Sequence, residues 1–236
     1  MTQRNTAAGT GAPRLTEEPL DRGGIARAVA ADIPRGAFVN LGIGQPTRVA
    51  DHLDPADGVT LHTENGMLGM GPEATGDRID PDLINAGKIP VTELPGASYF
   101  HHADSFAMMR GGHLDICVLG AFQVAAGGDL ANWSTGGPGA IPAVGGAMAL
   151  AIGAQQTFVM MSLLAKDGRP KLVPECSYPL TGIGCVSRVY TGLAVFELAD
   201  GVAHVRQTHG IDVGELAGLL EVELVGPLAS GGGVPG

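Results

Sequence analysis

Ala37-Phe38-Val39-Asn40-Leu41-Gly42-Ile43-Gly44-Gln45-Pro46-Thr47 reads as a strand, a glycine-rich loop and the first turn of a helix. Ala37 to Leu41 is an apolar run of strand length, and a helical pattern through Val49, Ala50, His52 and Leu53 follows the glycines. Pro46 suits a first helical turn, where its missing N–H would have no partner anyway. The helix start after Gly42 and Gly44 can hold an anion on its free N–H groups. A dinucleotide fingerprint needs a third glycine where Thr47 stands, so a nicotinamide cofactor is disfavoured. The bland alternative is a glycine pair that only lets strand and helix pack closely.

Upstream, Ile25, Ala26, Val29, Ala30 and Ile33 form one apolar stripe at helical spacing, with Asp21 at the capping position and Pro34-Arg35-Gly36 as the stop. Downstream, Val59 to Thr63 is a β-type run that delivers one carboxylate, Glu64, to the turn signal Asn65-Gly66. Gly69, Gly71 and Pro72 keep the surroundings of that carboxylate bare. Asp80 to Lys88 reads as a surface turn and short helix, Val91 to Leu94 as a strand end before Pro95-Gly96, and a helix is expected from about Ser105.

Leu114 to Gly120 is near-continuously apolar, the mark of a strand buried on both faces, and Ala121 to Ala126 is expected to continue it. A long loop from Gly127 through Pro142 ends at Gly145-Gly146, which opens a helix carrying Ala147, Leu150, Ala151 and Ala154. Thr157 to Met161 is another buried strand. The alternation predicts an α/β fold of three layers: a mostly parallel sheet with helices on both faces. After Lys166 the pattern changes to short strands at Lys171–Val173, Val186–Tyr190, Leu193–Leu198 and Val202–Val205, expected as extra edge strands in the C-terminal third. Val213 to Leu220 suits a last helix. Residues 15–222 are therefore expected to form a single domain, between a disordered leader at 1–14 and a flexible tail at 223–236.

The 236 residues carry 24 acidic against 14 basic side chains, a formal net charge of -10, which argues against a nucleic-acid surface and against long-range attraction of anionic ligands. No apolar run reaches the roughly 18 residues of a membrane span, and three cysteines without paired spacing argue against a disulfide framework. A cytoplasmic protein is the expectation. His101, His102 and Asp104 are close in sequence, but no further Cys/His cluster completes a coordination shell, so no metal is expected. A lone carboxylate at a strand-end turn can be a base, a ligand, a hydrogen-bond acceptor or a nucleophile, and the residues alone leave these open.

Five ordered blocks narrow the choice: Phe38-Val39-Asn40-Leu41-Gly42-Ile43-Gly44-Gln45-Pro46, His62-Thr63-Glu64-Asn65-Gly66, Gly128-Asp129-Leu130-Ala131-Asn132-Trp133, Gly145-Gly146-Ala147-Met148, and Leu172-Val173-Pro174-Glu175 with Tyr178-Pro179-Leu180-Thr181-Gly182. With them the chain resembles the B (beta) subunits of family I 3-oxoacid CoA-transferases, over essentially residues 15–222. The resemblance implies the three-layer fold that family shares with sugar-phosphate isomerases and effector-binding modules. It implies Glu64 as nucleophile and Gly145 and Gly146 as an active-site wall of backbone N–H donors. Asn40, Gly42, Gly44, Asn65 and Gly66 become candidates for contact with coenzyme A or substrate.

The implied chemistry is ping-pong transfer from succinyl-CoA to a 3-oxo acid through a glutamyl-CoA thioester, with coenzyme A as substrate and no resident cofactor or metal. The A subunit of such a CoA-transferase is implied as partner, in a heterodimer or an A2B2 heterotetramer, supplying much of the cationic surface; Arg48, Arg78, Lys88 and Arg110 are local candidates. The first expectation for the acceptor is 3-oxoadipate, with acetoacetate or a short-chain acid as alternatives. A non-catalytic effector-binding module and a thioester hydrolase are the competing classes. The chain departs from the family pattern at Thr63, commonly serine, at Ala149, usually aspartate, and at Ser162-Leu163, often Glu-His.

Overall fold

In the computed structural model, residues 14–16, 18–137, 139, 141–143 and 145–226 are described. In chain order the strands are β1 (Arg14–Thr16), β2 (Phe38–Leu41), β3 (Thr60–Thr63), β4 (Met67–Glu73), β5 (Val91–Tyr99), β6 (Ile116–Gly120) and β7 (Gln123–Ala125). They continue with β8 (Leu130–Ala131), β9 (Gln156–Met160), β10 (Leu172–Val173), β11 (Val186–Tyr190), β12 (Ala194–Ala199), β13 (Val202–His209) and β14 (Leu224–Val225). The helices are α1 (Arg22–Ala31), α2 (His102–Arg110), α3 (Ala147–Gly153) and α4 (Val213–Gly218).

Among the described residues, eleven strands form one sheet in the order β1-β13-β12-β11-β9-β6-β2-β3-β4-β5, with β14 on β13. The central block β11-β9-β6-β2-β3 is wholly parallel. Antiparallel pairs flank it on both sides, β11-β12-β13 at one edge and β3-β4-β5 at the other. The apolar runs follow from burial on both faces. In β6, Ile116 and Val118 face a core shared with Ile25, Ala26 and Val29 of α1, while Cys117 and Leu119 face a second core with Met109 of α2, Leu150 of α3 and Leu216 of α4. β9 divides likewise, Phe158 and Met160 to one side and Val159 to the other. Each large apolar side chain removed from water contributes about 1.5–3 kcal/mol, and no such position can become polar without cost.

Asp21 caps α1 as expected, its Oδ1 accepting the Gly24 N–H at 2.7 Å, a contact whose removal costs about 1 kcal/mol. At the other end of that helix Asp32 accepts from the Tyr190 hydroxyl at 2.8 Å and pairs with Arg188 at 3.2 Å, which ties α1 to β11.

Several expectations are corrected. The helix after Gly44 is a 3-10 helix over Gln45–His52 with no side-chain cap, not an α-helix. Asp80 to Lys88 carries turns and an isolated bridge, Ile84 to Pro90, in place of a helix. β5 runs through Pro95-Gly96, which its edge position permits because the proline leaves no ladder partner unmet. α2 starts at His102, three residues before Ser105, because His101 caps it. β6 ends at Gly120; β7 leaves the main sheet and joins β8 and β10 in a three-stranded sheet. Of the short C-terminal strands, β10 belongs to that small sheet and β11 lies inside the large one, so only β12, β13 and β14 extend the edge. Pairing also reaches past the expected domain limits: Arg14 pairs with Gln207, and Leu224 with Ala203. The remainder of the expected leader and tail, 1–13 and 227–236, lies outside the described residues.

The loop after Gly127 is held by the block containing Leu180-Thr181-Gly182. Asn132 and Thr181 exchange hydrogen bonds, Asn132 N–H to Thr181 Oγ1 at 3.1 Å and Thr181 Oγ1–H to Asn132 Oδ1 at 2.6 Å. Trp133 Nε1 donates to Leu180 O at 3.1 Å. Two of the five sequence blocks thus meet in space.

Candidate active site

β3 and β4 pair His62 with Leu68 and Thr63 with Met67, leaving Glu64-Asn65-Gly66 as the tip of a hairpin. Gly66 N–H closes the tip on Thr63 O at 3.1 Å, and Gly66 O takes the Phe100 N–H at 3.0 Å. Gly66 has φ 114°, and a Cβ there would lie 2.2 Å from Phe100 O, so the tip admits no side chain at that position. Asn65 does not use positive φ; it anchors the tip through Nδ2 to Ile84 O at 2.8 Å.

The strand beneath the tip is locked from inside. His62 is fully buried, its Nδ1 3.0 Å from Asn40 Nδ2 and its Nε2 3.0 Å from Ser105 Oγ. Asn40 Nδ2 also donates to His62 O at 3.1 Å, and Ser105 Oγ–H to Thr63 O at 3.1 Å. These contacts fix the donors: the Asn40 amide nitrogen faces a carbonyl and so cannot be the amide oxygen. Nδ1 then accepts, Nε2–H donates to Ser105, and the ring is neutral. Burial agrees, lowering the His62 pKa to about 4. The two residues before Glu64 are thereby tied, His62 to β2 and to α2 and Thr63 to α2.

Glu64 is half-buried, and its carboxyl receives the Gly146 N–H at the start of α3. A Cβ at Gly146 would sit 2.4 Å from Glu64 Oε2, so only glycine allows this approach. Burial raises the Glu64 pKa above its ordinary value; the Gly146 N–H and the charge of His102 oppose that rise. His102 packs on Phe106 at 4.8 Å between ring centres, and His101 Nδ1 accepts the Ala103 N–H at 3.1 Å. Both histidines are thus occupied in α2, and no three metal-ligating side chains gather among the described residues.

Glu64, Gly145, Gly146 and Gly42 line one cleft of about 1070 Å³ at the C-terminal ends of the parallel strands, where α/β sheets bind ligands. Asn40 and Glu64 also share a small hollow behind the hairpin. Gly42 has a packing duty as well, its N–H donating to Val118 O at 2.8 Å. Gly44 faces a separate cleft of about 590 Å³ with Arg22 and Arg48. Of the cations expected from sequence, Arg48 lies in that second cleft, Arg78 lines another hollow, Arg110 covers the Phe106 ring at 5.5 Å, and Lys88 lines none of them. The cations in the Glu64 cleft are Arg22 and Lys171, which sequence reasoning passed over. It also passed over Ser105; its signal was weak, a small polar residue where a buried helix face should be apolar. The three thiols are all held protonated by burial, Cys117 pushed up to about 12 and Cys176 and Cys185 each to about 11.

The Coenzyme A transferase family pattern matches residues 24–209. The chain is 61% identical over 207 residues to the B subunit of 3-oxoadipate CoA-transferase from Pseudomonas putida, covering 87% of this chain and 97% of that one. It is 54% identical over 212 residues to the protein of the same name from Acinetobacter baylyi, covering 89% and 98%. In fold it is similar to the acyl-CoA transferase apoenzyme YdiF of Escherichia coli O157:H7, with a TM-score of 0.64 at 20% identity; 91% of this chain spans 44% of that one. With that match, the hairpin glutamate and the glycine wall against it fall inside a shared pattern, and the chain belongs to the coenzyme A transferase family.

Proposed function

We propose that the chain is the B subunit of a CoA-transferase that moves coenzyme A from succinyl-CoA to 3-oxoadipate, with Glu64 as nucleophile. The observation that carries the reading is one half-buried carboxylate at a rigid hairpin tip, in contact with the Gly146 N–H and open to a large cleft. The identities to 3-oxoadipate CoA-transferase B subunits support the choice of acceptor.

Glu64 attacks the thioester carbonyl of succinyl-CoA; the tetrahedral oxyanion collapses, the C–S bond breaks and CoA thiolate leaves, giving a glutamyl-succinyl anhydride. The thiolate attacks the Glu64 carbonyl and releases succinate, which leaves a glutamyl-CoA thioester. The acceptor carboxylate then runs the two steps in reverse and departs as its CoA ester. Each step trades one activated acyl bond for another, so no further energy source enters the balance. A carboxylate suffices because thiolate is a good leaving group. A backbone N–H already aimed at the Glu64 carboxyl stays in place when charge develops on its oxygen, and backbone donors of this kind contribute about 2.7–4 kcal/mol each. The buried Asn40–His62–Ser105 lattice supplies positioning, since it leaves the tip little freedom to retreat.

A thioester on Glu64 must be kept from water. In this chain the cleft is open, and Ile43 and Phe122 of its lining are exposed. We infer that the A subunit of the same transferase covers this opening and completes the site. The test is to incubate the assembled pair with succinyl-CoA and digest it. A CoA-sized adduct on the peptide containing Glu64, absent from Glu64→Ala, is the expected result. Normal turnover by Glu64→Ala, or an adduct elsewhere, overturns the assignment.

A further inference from the structure

The two cations in the Glu64 cleft differ in kind. Arg22 is exposed at the start of α1 and is shared with the neighbouring cleft of Arg48. Lys171 is half-buried against the wall formed with Phe122, Leu163 and Leu164. Its backbone is fixed on both sides, N–H to Leu163 O at 2.9 Å and C=O accepting the Val124 N–H at 2.9 Å. Among the described residues no hydrogen bond or ion pair reaches its amine. Burial lowers its pKa, and no carboxylate of the described residues counters that effect. A cation withdrawn from water without a partner is held at a cost unless something else brings the negative charge.

Glu64 does not bring it: both residues line the one cleft, and among the described residues no ion pair joins them. Apolar side chains, Leu119, Met160 and Leu163, line the same cleft. The site therefore offers an acyl-transfer point, an apolar wall and an unneutralised cation. A ligand suited to these three features has an activated or activatable carboxyl, an apolar stretch and a second, free carboxylate.

We propose that Lys171 binds the free carboxylate of the dicarboxylic acyl group and sets the preference for dicarboxylic over monocarboxylic acids. The inference deepens the reading of the Glu64 site and rests on it: succinyl-CoA and 3-oxoadipate each keep one carboxylate that takes no part in the bond exchange. In a chain of net charge -10, long-range attraction cannot draw such an anion in, and a local cation must do so.

The experiment measures kcat/KM for 3-oxoadipate and for acetoacetate with the assembled pair, in wild type, Lys171→Met and Lys171→Arg. Under ping-pong kinetics these values exclude the shared donor half-reaction, so their ratio reports the acceptor alone. Removing a charge-assisted contact should lower the dicarboxylate-to-monocarboxylate ratio about 10- to 100-fold in Lys171→Met. Lys171→Arg keeps the charge and should keep the preference. Thermal unfolding midpoints identify any variant that has lost its fold; in that case Lys171→Gln, which retains a polar tip, must show the same collapse of the ratio. An unchanged ratio in a folded Lys171→Met or Lys171→Gln complex, or a preference lost in Lys171→Arg, overturns the proposal. Were the wild-type pair to transfer coenzyme A to neither acid, the parent reading would fall instead; an active wild type with an indifferent Lys171→Met sinks only the role of Lys171.

Discussion

Gly146→Ala should separate activity from stability. Gly146 has φ -70° and ψ -6°, ordinary right-handed helical values that alanine adopts without strain. The added Cβ would lie 2.4 Å from Glu64 Oε2, 2.6 Å from Cδ and 2.9 Å from Oε1. What it strikes is the far end of a flexible side chain, so the carboxylate moves and the fold does not. Loss of backbone freedom in the unfolded chain even favours the variant by about 0.4–1 kcal/mol. The displaced carboxylate forfeits its N–H partner and its aim, and removal of one such donor contact costs about 10²–10³ in rate, or roughly 2.7–4 kcal/mol of transition-state stabilisation. The assay is kcat/KM for CoA transfer by the assembled pair, beside the thermal midpoint of each variant. Gly145→Ala is the control, because a Cβ there meets nothing within 4 Å. Gly146→Ala with near wild-type kcat/KM, or with losses equal to those of Gly145→Ala, would refute the contact between Gly146 and Glu64 as a determinant of rate.

Protonation of His62 should be visible in stability. Its pKa falls from 6.5 to about 4 on folding, so the unfolded chain binds the extra proton first; the contribution is present above pH 6.5 and fades as pH drops toward about 4. That segment of the stability curve should span about 3 kcal/mol and flatten in His62→Gln, whose amide can keep the Asn40 and Ser105 contacts, as urea midpoints across the range would report. Gly66→Ala meets Phe100 O at 2.2 Å with φ 114°, and should destabilise the chain by about 3 kcal/mol or more in denaturant titration. Because burial outranks the contacts that favour its charge, Glu64 should ionise above its ordinary 4.5, and the acid limb of kcat/KM against pH should fall above that value.

The parallel core was legible because burial on both faces leaves apolar residues at every position, as in Ile116 to Leu119, and few other structures do so. The hairpin tip at Glu64 was legible because Asn65-Gly66 marks a turn, whereas the residues alone left the role of its carboxylate open and only the family resemblance suggested one. The exit of β7 from the main sheet was not: Val124 is as buried in the small sheet as it would have been in the large one, and periodicity cannot choose between partners. Lys171 was hidden for a related reason. A lysine heading a short strand reads as solvated, and only the fold, which brings Phe122 beside it, places it on the wall of the cleft. The His62 lattice joins residues 43 and 22 positions apart, beyond the reach of any local pattern.

The suppression of the protein's own thiols bears on how its reaction stays clean. In the proposed reaction Glu64 carries first an anhydride and then a thioester, and any thiolate within reach would be a rival acceptor, since thiol–thioester exchange needs only a free thiolate and is near balance. Cys117, Cys176 and Cys185, with pKa values raised to between about 11 and about 12, hold almost no thiolate near neutral pH. The same property denies coenzyme A a partner for mixed disulfides under oxidation. None of the three cysteines lines the Glu64 cleft, so position and protonation together keep this chain's described thiols from competing with the thiol of coenzyme A.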